Sequence, residues 1–275
     1  MYEVRSVPGG AWQEKSVRQA KDIVARGRVL GQGRGPLVCI PVVGRQRDEI
    51  LDEVAAAVRH QPDLIEWRAD FFANVSETDE VLGLVTEIRA AVENIPLIFT
   101  VRTEREGGEP VELNDDEIAN LCVEVCESGL AEFVDVEMSA PEAQVRAVLE
   151  TAKAHDTRVV LSYHNFRETP GIEQLLDKFA LAEALGGDVA KVAVMPQTLD
   201  DVLVLLQATL QASRDVSVPL IGISMGELGA FTRAIGWYFG SAVTFAAGRE
   251  SSAPGQLSVQ DVRELIALLG RHQAG

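Results

Sequence analysis

The 275-residue sequence predicts an α/β protein built as a (β/α)8 barrel, and three observations predict it. Short apolar runs rich in β-branched residues alternate with longer amphipathic segments from about residue 37 to the end, eight of each, with no low-complexity linker between them. Hydrophobic residues make up 47% of the chain and aromatics only 5%, so the core is made mostly of Val, Leu, Ile and Ala, the usual choice where helices cover parallel strands. The length also suits one barrel of ~250 residues. A doubly wound sheet of the same elements is the alternative, but no G-x-G-x-x-G turn follows an early strand.

Taken in order, residues 1–28 read as an N-terminal extension, partly helical or disordered, and residues 29–275 as a single catalytic barrel domain. The first dozen residues carry no pattern, and SVRQAKDIVARG (16–27) has the spacing of a helix. RVLGQGRGPLVCI (28–40) reads as two β runs around GQGRG, a hairpin expected to close the bottom of the barrel. The strands follow: LVCIPVV (37–43), LIEWRA (64–69), PLIFTV (96–101), FVDVEM (133–138), RVVLSYH (158–164), VAKVAVM (189–195), PLIGISM (219–225) and AVTFAA (242–247). Between them lie helical patterns such as DEILDEVAAAVRH (48–60), DEIANLCVEVCESGL (116–130), APEAQVRAVLETAKAH (140–155) and QTLDDVLVLLQATLQA (197–212). After the seventh strand, MGELGAFTRAIGWYFG presents Arg233 within a small-residue helix, and SVQDVRELIALLG (258–270) closes the series.

The formal charge of −17, from 42 acidic and 25 basic residues, repels phosphate backbones and anionic bilayers, which excludes nucleic acid and membrane surfaces as expected partners. A small anionic substrate then needs its own local cluster of arginines. Cys39, Cys122 and Cys126 have no metal-ligand spacing and read as reduced core thiols, and no metal is expected. No segment approaches the ~20 apolar residues of a membrane span. The N-terminal MYEVRSVPGGAWQEK has no apolar signal core, so a cytoplasmic protein is expected.

In a barrel the catalytic residues sit at the C-terminal ends of the strands, and period-2 alternation tells which side chains face inward. Glu66 and Arg68 share one face of the second strand, as a structural ion pair or as part of a site. Arg102 ends the third strand, and its loop carries Glu106 before Gly107 and Gly108. Asp135 and Glu137 share a face of the fourth strand, Ser162 and His164 a face of the fifth. His164 is the only one of the four histidines at a strand end. Lysines are scarce, and Lys191 alone interrupts an apolar strand, on the side of Val189, Ala193 and Met195. Desolvation there is expected to lower its pKa and give a neutral amine able to attack a carbonyl as a Schiff base; an ion-paired or snorkelling strand lysine is the other reading. RESSAPGQLSVQ, after the eighth strand, suits a lid with hydrogen-bonding tips.

EWRAD (66–70), FTVRTEREGGE (99–109), SYHNF (162–166), AKVAVMPQ (190–197), ISM (223–225), Arg233 and SAPGQ (252–256), in this order, resemble the type I 3-dehydroquinate dehydratases, Schiff-base enzymes of the shikimate pathway. The likeness runs from about residue 29 onward. It implies a (β/α)8 barrel, a cytoplasmic homodimer, no cofactor or metal, and loss of water from 3-dehydroquinate to give 3-dehydroshikimate. Residue by residue, it makes Lys191 the imine-forming lysine, His164 the general acid/base and Glu106 the carboxylate that orients it. Glu66, Arg68, Arg102, Arg233, Ser252 and Gln256 match substrate-binding positions, with Arg233 as the carboxylate clamp. Two positions depart from the pattern: Pro41 stands where serine is common, and Asn165 where aspartate often follows the histidine. A class I aldolase shares the barrel and the lysine, but SAPGQ is not the glycine-rich phosphate nest that sugar phosphates need. A binding barrel that has lost activity has no need of Lys191, His164 and Glu106 together.

Overall fold

The computed structural model describes residues 22–31 and 35–270. Among these residues, ten strands form two sheets. β1 (Ile23–Ala25) and β2 (Arg28–Leu30) make an antiparallel hairpin. β3 (Leu37–Val42), β4 (Leu64–Arg68), β5 (Leu97–Thr100), β6 (Phe133–Glu137), β7 (Arg158–Asn165), β8 (Val189–Val194), β9 (Leu220–Ser224) and β10 (Val243–Phe245) form one eight-stranded sheet in the order β10-β3-β4-β5-β6-β7-β8-β9. Every laddered pair in it is parallel, and a parallel bridge between Leu220 and Ser241, with Ala242 N donating to Leu220 O at 2.7 Å, brings the last two strands together. Each of the eight apolar runs read from the sequence is a strand, with ends moved by a residue or two.

The crossover helices are α1 (Arg47–Arg59), α2 (Thr78–Val92), α3 (Asp115–Ser128), α4 (Glu142–Ala154), α5 (Ile172–Leu185) and α6 (Leu199–Asp215), and α9 (Val259–Gly270) follows β10. Local chemistry sets their ends. Asn114 caps α3 by accepting from Asp116 N and Glu117 N, Thr198 caps α6, and Gly129 and Gly186 close α3 and α5 in the left-handed region. Two cores result. The outward strand faces pack against the helices through residues such as Trp67, Phe99, Val134 and Leu161. The inward faces form a second cluster, in which Leu64, Ile98, Phe133, Val160, Val189, Ile221 and Val243 meet Ile23, Ala25 and Leu30 of the hairpin. The hairpin therefore stoppers the N-terminal end of the barrel. Among the described residues no helix is long and apolar enough to cross a membrane.

Two expectations are corrected. The hairpin does not turn at GQGRG; β2 folds back on β1 across Arg26 and Gly27, both at positive φ, the geometry of a tight two-residue hairpin turn. Residues 23–27, expected to end a helix, therefore form strand and turn, and the folded unit spans the boundary drawn at 28/29. The rest of that expected helix, and of the extension, lies outside the described residues. The helix expected around Arg233 is also broken, into α7 (Gly226–Gly229), α8 (Thr232–Ile235) and a 3-10 turn at Gly236–Phe239. The first of these segments packs directly on the end of β9, where a Cβ on Gly229 would lie 2.2 Å from Ser224 O.

Along β4 to β8 the inward side chains change from apolar to polar within one step of two residues: Leu64 to Glu66, Ile98 to Thr100, Phe133 to Asp135, Val160 to Ser162, Val189 to Lys191. β9 and β10 stay apolar, with Ile221, Ile223 and Phe245, and Met225 follows just past the end of β9. The upper barrel thus has a charged wall and an apolar wall.

Candidate active site

Every residue assigned a role from the sequence, namely Glu66, Arg68, Arg102, Glu106, His164, Lys191, Arg233, Ser252 and Gln256, lines one cavity at the C-terminal end of the barrel. Ile223, Met225, Phe166 and Phe245 supply its apolar side. Among the described residues, no group of three or more His, Cys, Asp or Glu side chains is arranged to hold a metal ion.

Lys191 is buried at the middle of β8, and the structure supplies the partners that a buried cation requires. Its Nζ lies 2.8 Å from Asp135 Oδ2 and 3.5 Å from Glu66 Oε1, and 4.8 Å from the centre of the Phe245 ring. Of the two readings that the apolar run allowed, the structure shows the ion-paired one. Nor do Glu66 and Arg68 pair with each other. Glu66 accepts from Thr100 Oγ1 at 3.0 Å and turns toward Lys191, while Arg68 donates to Asp70.

Asp135, on β6, is the hub of the charged wall. It accepts from Lys191, from Ser162 Oγ at 2.5 Å and from Arg102 at 2.9 Å. Burial alone would raise its pKa, but Arg102 and Lys191 outweigh burial and hold the carboxyl well below the usual carboxylate range. Arg102 also donates to Glu137 Oε1 at 3.1 Å and to Ser162 Oγ at 3.0 Å. Burial opposes its charge, but Asp135 and Glu137 more than offset this and hold it above its ordinary value. Glu137 in turn accepts from Thr103 N at 2.8 Å and Thr103 Oγ1 at 2.6 Å.

His164 and Glu106 form the second group. Glu106 Oε2 lies 2.9 Å from His164 Nδ1 and accepts the His164 backbone N–H at 2.9 Å, while Oε1 accepts from Ser139 Oγ at 2.6 Å. An ionised Glu106 thus holds the proton on Nδ1 and leaves Nε2 as the basic nitrogen of a ring that lines the cavity. Burial, helped by Arg102 and Lys191, pushes the imidazole well below its ordinary pKa. Burial and the charge of Glu137 push Glu106 up to about 7, against the pull of Arg102. Both shifts favour the neutral forms of the pair.

Arg233, in α8, is only 3% exposed, and among the described residues no carboxylate comes within 4.0 Å of it. Its Nε has no hydrogen-bond partner, and Nη2 donates to Pro254 O at 3.5 Å. Burial without a counter-ion lowers it to about 10. Ser252 and Gln256 sit above the cavity, where Gln256 accepts from Ser252 N and donates to Ser252 Oγ, each at 3.0 Å.

Neither of the two departures from the family pattern lines the cavity, although Pro41 stands in register with Glu66 on the neighbouring strand. Asn165 Oδ1 accepts from Arg167 N and Glu168 N, capping the loop after β7. Pro41 lies where the ladder to β10, which ends at Phe245 and Cys39, no longer needs an N–H. Sequence reasoning assigned no role to Asp70, Asp135, Glu137, Ser139 or Ser162. Parity did place Asp135, Glu137 and Ser162 inward, whereas Asp70 lies past the strand in a 3-10 turn (Ala69–Phe71), where alternation gives no signal.

A profile of the Type I 3-dehydroquinase family matches residues 38–273. A 3-dehydroquinate dehydratase of Albidiferax ferrireducens is 44% identical over 253 residues, covering 92% of this chain and 96% of that one. The crystal structure of 3-dehydroquinate dehydratase from Geobacillus kaustophilus superposes with a TM-score of 0.90 at 44% identity, over 93% of this chain and 98% of that chain. A type I 3-dehydroquinate dehydratase from Clostridium difficile, crystallised with covalently modified comenic acid, gives a TM-score of 0.88 at 35% identity over 92% of this chain and 99% of that one. A 3-hexulose-6-phosphate synthase, 18% identical with a TM-score of 0.57, shares the fold alone.

Proposed function

The chain belongs to the type I 3-dehydroquinase family, and from that premise we propose that Lys191 forms an imine with the ketone of 3-dehydroquinate while His164 moves the protons. The protein is a hydro-lyase of the shikimate pathway that converts 3-dehydroquinate to 3-dehydroshikimate and water. The observation that carries the residue roles is that Lys191, His164 and the unpaired Arg233 open onto one cavity.

The substrate is a ring whose carboxylate and β-hydroxyl share one carbon, two positions from the ketone. Arg233, buried and without a counter-ion, receives the carboxylate bidentately. Lys191, in its neutral form, adds to the ketone, and loss of water gives the iminium, whose positive charge stays beside Asp135 and Glu66. The iminium acidifies the adjacent carbon. His164 Nε2 removes a proton there, and Glu106 stabilises the imidazolium through Nδ1. The resulting enamine expels the β-hydroxyl, which the imidazolium protonates, and hydrolysis of the remaining imine frees Lys191. Glu66 and Arg68 face the substrate hydroxyls, and Ser252 and Gln256 close over them. Arg102 lines the cavity, yet its guanidinium is held by Asp135, Glu137 and Ser162, so it acts chiefly by fixing those groups. A homodimer in the cytoplasm, as the family resemblance implies, completes this reading, and sedimentation equilibrium tests the first part of it.

Borohydride reduction during turnover, followed by peptide mass analysis, tests the mechanism: one adduct is expected, on Lys191. No adduct, or an adduct on another lysine, would falsify it. The His164→Ala variant should still be trapped on Lys191 yet lose more turnover than the ~10²–10⁴ of one acid/base step, because His164 serves several. Wild-type turnover in that variant would remove His164 from the mechanism.

A further inference from the structure

The arginines lining the cavity are not equivalent, and the difference lies in what each already holds. Arg102 is matched by Asp135 and Glu137. Arg68 is matched by Asp70, a carboxylate with no exposed side-chain surface: Arg68 Nε donates to Oδ1 at 2.8 Å and an NH2 nitrogen donates to Oδ2 at 2.7 Å. That bidentate contact uses the Nε edge of the guanidinium and leaves Nη1 without a carboxylate, 3.5 Å from the backbone oxygen of Ser252, a residue of the cavity lining. Asp70 is itself fixed, accepting from Arg102 N and Glu109 N, each at 3.2 Å. Arg233 has no such partner.

We propose that Asp70 is a specificity-determining positioning residue: by occupying Arg68, it leaves Arg233 as the one place in the cavity that receives the substrate carboxylate, and so fixes which way round the ring enters. A guanidinium with a carboxylate already bound keeps N–H donors for a hydroxyl but has its charge offset; a second carboxylate there would face the charge of Asp70 across a buried site. Only one orientation of the ring places its ketone at Lys191. The inference rests on the proposed role of Arg233 as the clamp, and the experiment separates the two.

The probe is cyclohexanecarboxylate, a ring carboxylate without the ketone, used as a competitive inhibitor. Arg233→Gln should weaken its binding roughly tenfold or more, the value of a charge-assisted hydrogen bond, whereas Arg68→Met should leave it within about twofold of wild type. Asp70→Asn should tighten it roughly tenfold, because Arg68 then offers a second clamp, while kcat/KM for 3-dehydroquinate falls through misdirected binding. In Asp70→Asn/Arg68→Met the inhibition constant should return to the wild-type value, a rescue that a merely structural role for Asp70 does not give. If Arg233→Gln weakens the inhibitor but Asp70→Asn leaves its affinity unchanged or lower, this inference fails and the clamp stands. If Arg233→Gln has no effect, the clamp fails and the inference with it. Should Asp70→Asn not fold, equal weakening by Arg68→Met and Arg233→Gln overturns the inference, and weakening by Arg233→Gln alone supports it.

Discussion

Glu106→Gln keeps the size of a buried side chain and removes its charge. In the wild type, Glu106 Oε2 sits 2.9 Å from His164 Nδ1, so protonation of the imidazole turns that contact into an ion pair. A hydrogen bond to a charged group contributes about 1.5–3 kcal/mol, and about 1.4 kcal/mol is a factor of ten, so kcat should fall roughly 10- to 150-fold at about pH 8. The sign of the pH dependence follows from the opposed shifts in the pair. Glu106 is raised to about 7, so on acidification the wild type loses this carboxylate charge first. His164, displaced downward, remains neutral over the same interval. Wild-type activity should therefore drop about tenfold for each pH unit below about 7, whereas the variant, with no charge to lose there, should stay flat, so the gap should close between about pH 6 and about pH 5. Absorbance of the conjugated enone product measures both profiles. A variant with the same acid limb as wild type, or a gap that widens on acidification, would refute Glu106 as the group that sets it.

Two further outcomes are expected. Asp135→Asn leaves Arg102 and Lys191 short of their shared carboxylate and should lower stability by about 3 kcal/mol near neutral pH, read from urea midpoints. Because the folded-state pKa of Asp135 is depressed, the wild-type advantage is full above the unfolded carboxylate value of about 4 and should shrink as pH falls below it; a gap independent of pH would contradict the pairing. Gly255, on the loop over the cavity, has φ +75°, and a Cβ there would lie 2.2 Å from Gly226 O. Gly255→Ala costs about 1–2 kcal/mol in backbone conformation alone and should raise KM roughly 5- to 30-fold with little change in thermal midpoint; an unchanged KM would mean that the loop does not act in its seated form.

The barrel was legible because each strand is an apolar run set between amphipathic helices, a pattern that local sequence carries in full. Strand parity was legible too: the side of Lys191, His164, Glu66 and Asp135 follows from counting by twos. Height within the barrel does not follow from counting, because it depends on the stagger between strands. Asp135 lies opposite Thr100 and Val160, while Lys191 lies opposite Ser162, and only this register lets side chains from β6 and β8 meet across β7. The pairing of Arg68 with Asp70 rather than with Glu66 was hidden because Asp70 sits in a turn. The hairpin was foreseen but turned at the wrong glycine, since a two-residue turn at Arg26 and Gly27 leaves little trace beside the more conspicuous GQGRG.

The stopper of Ile23, Ala25 and Leu30 under the barrel makes the cavity a chamber with one door. The proposed chemistry handles three waters per cycle: one leaves when the imine forms, one leaves as the substrate is dehydrated, and one is consumed when the imine is hydrolysed. With the far end closed, all of this traffic uses the mouth beneath Ser252 and Gln256, through which the substrate also enters. If the loop stays shut between these events, a water released early remains at hand to free Lys191 later. Timing of the door, and not only the groups that line the chamber, then decides whether the oxygen in the product ketone comes from the substrate or from the solvent.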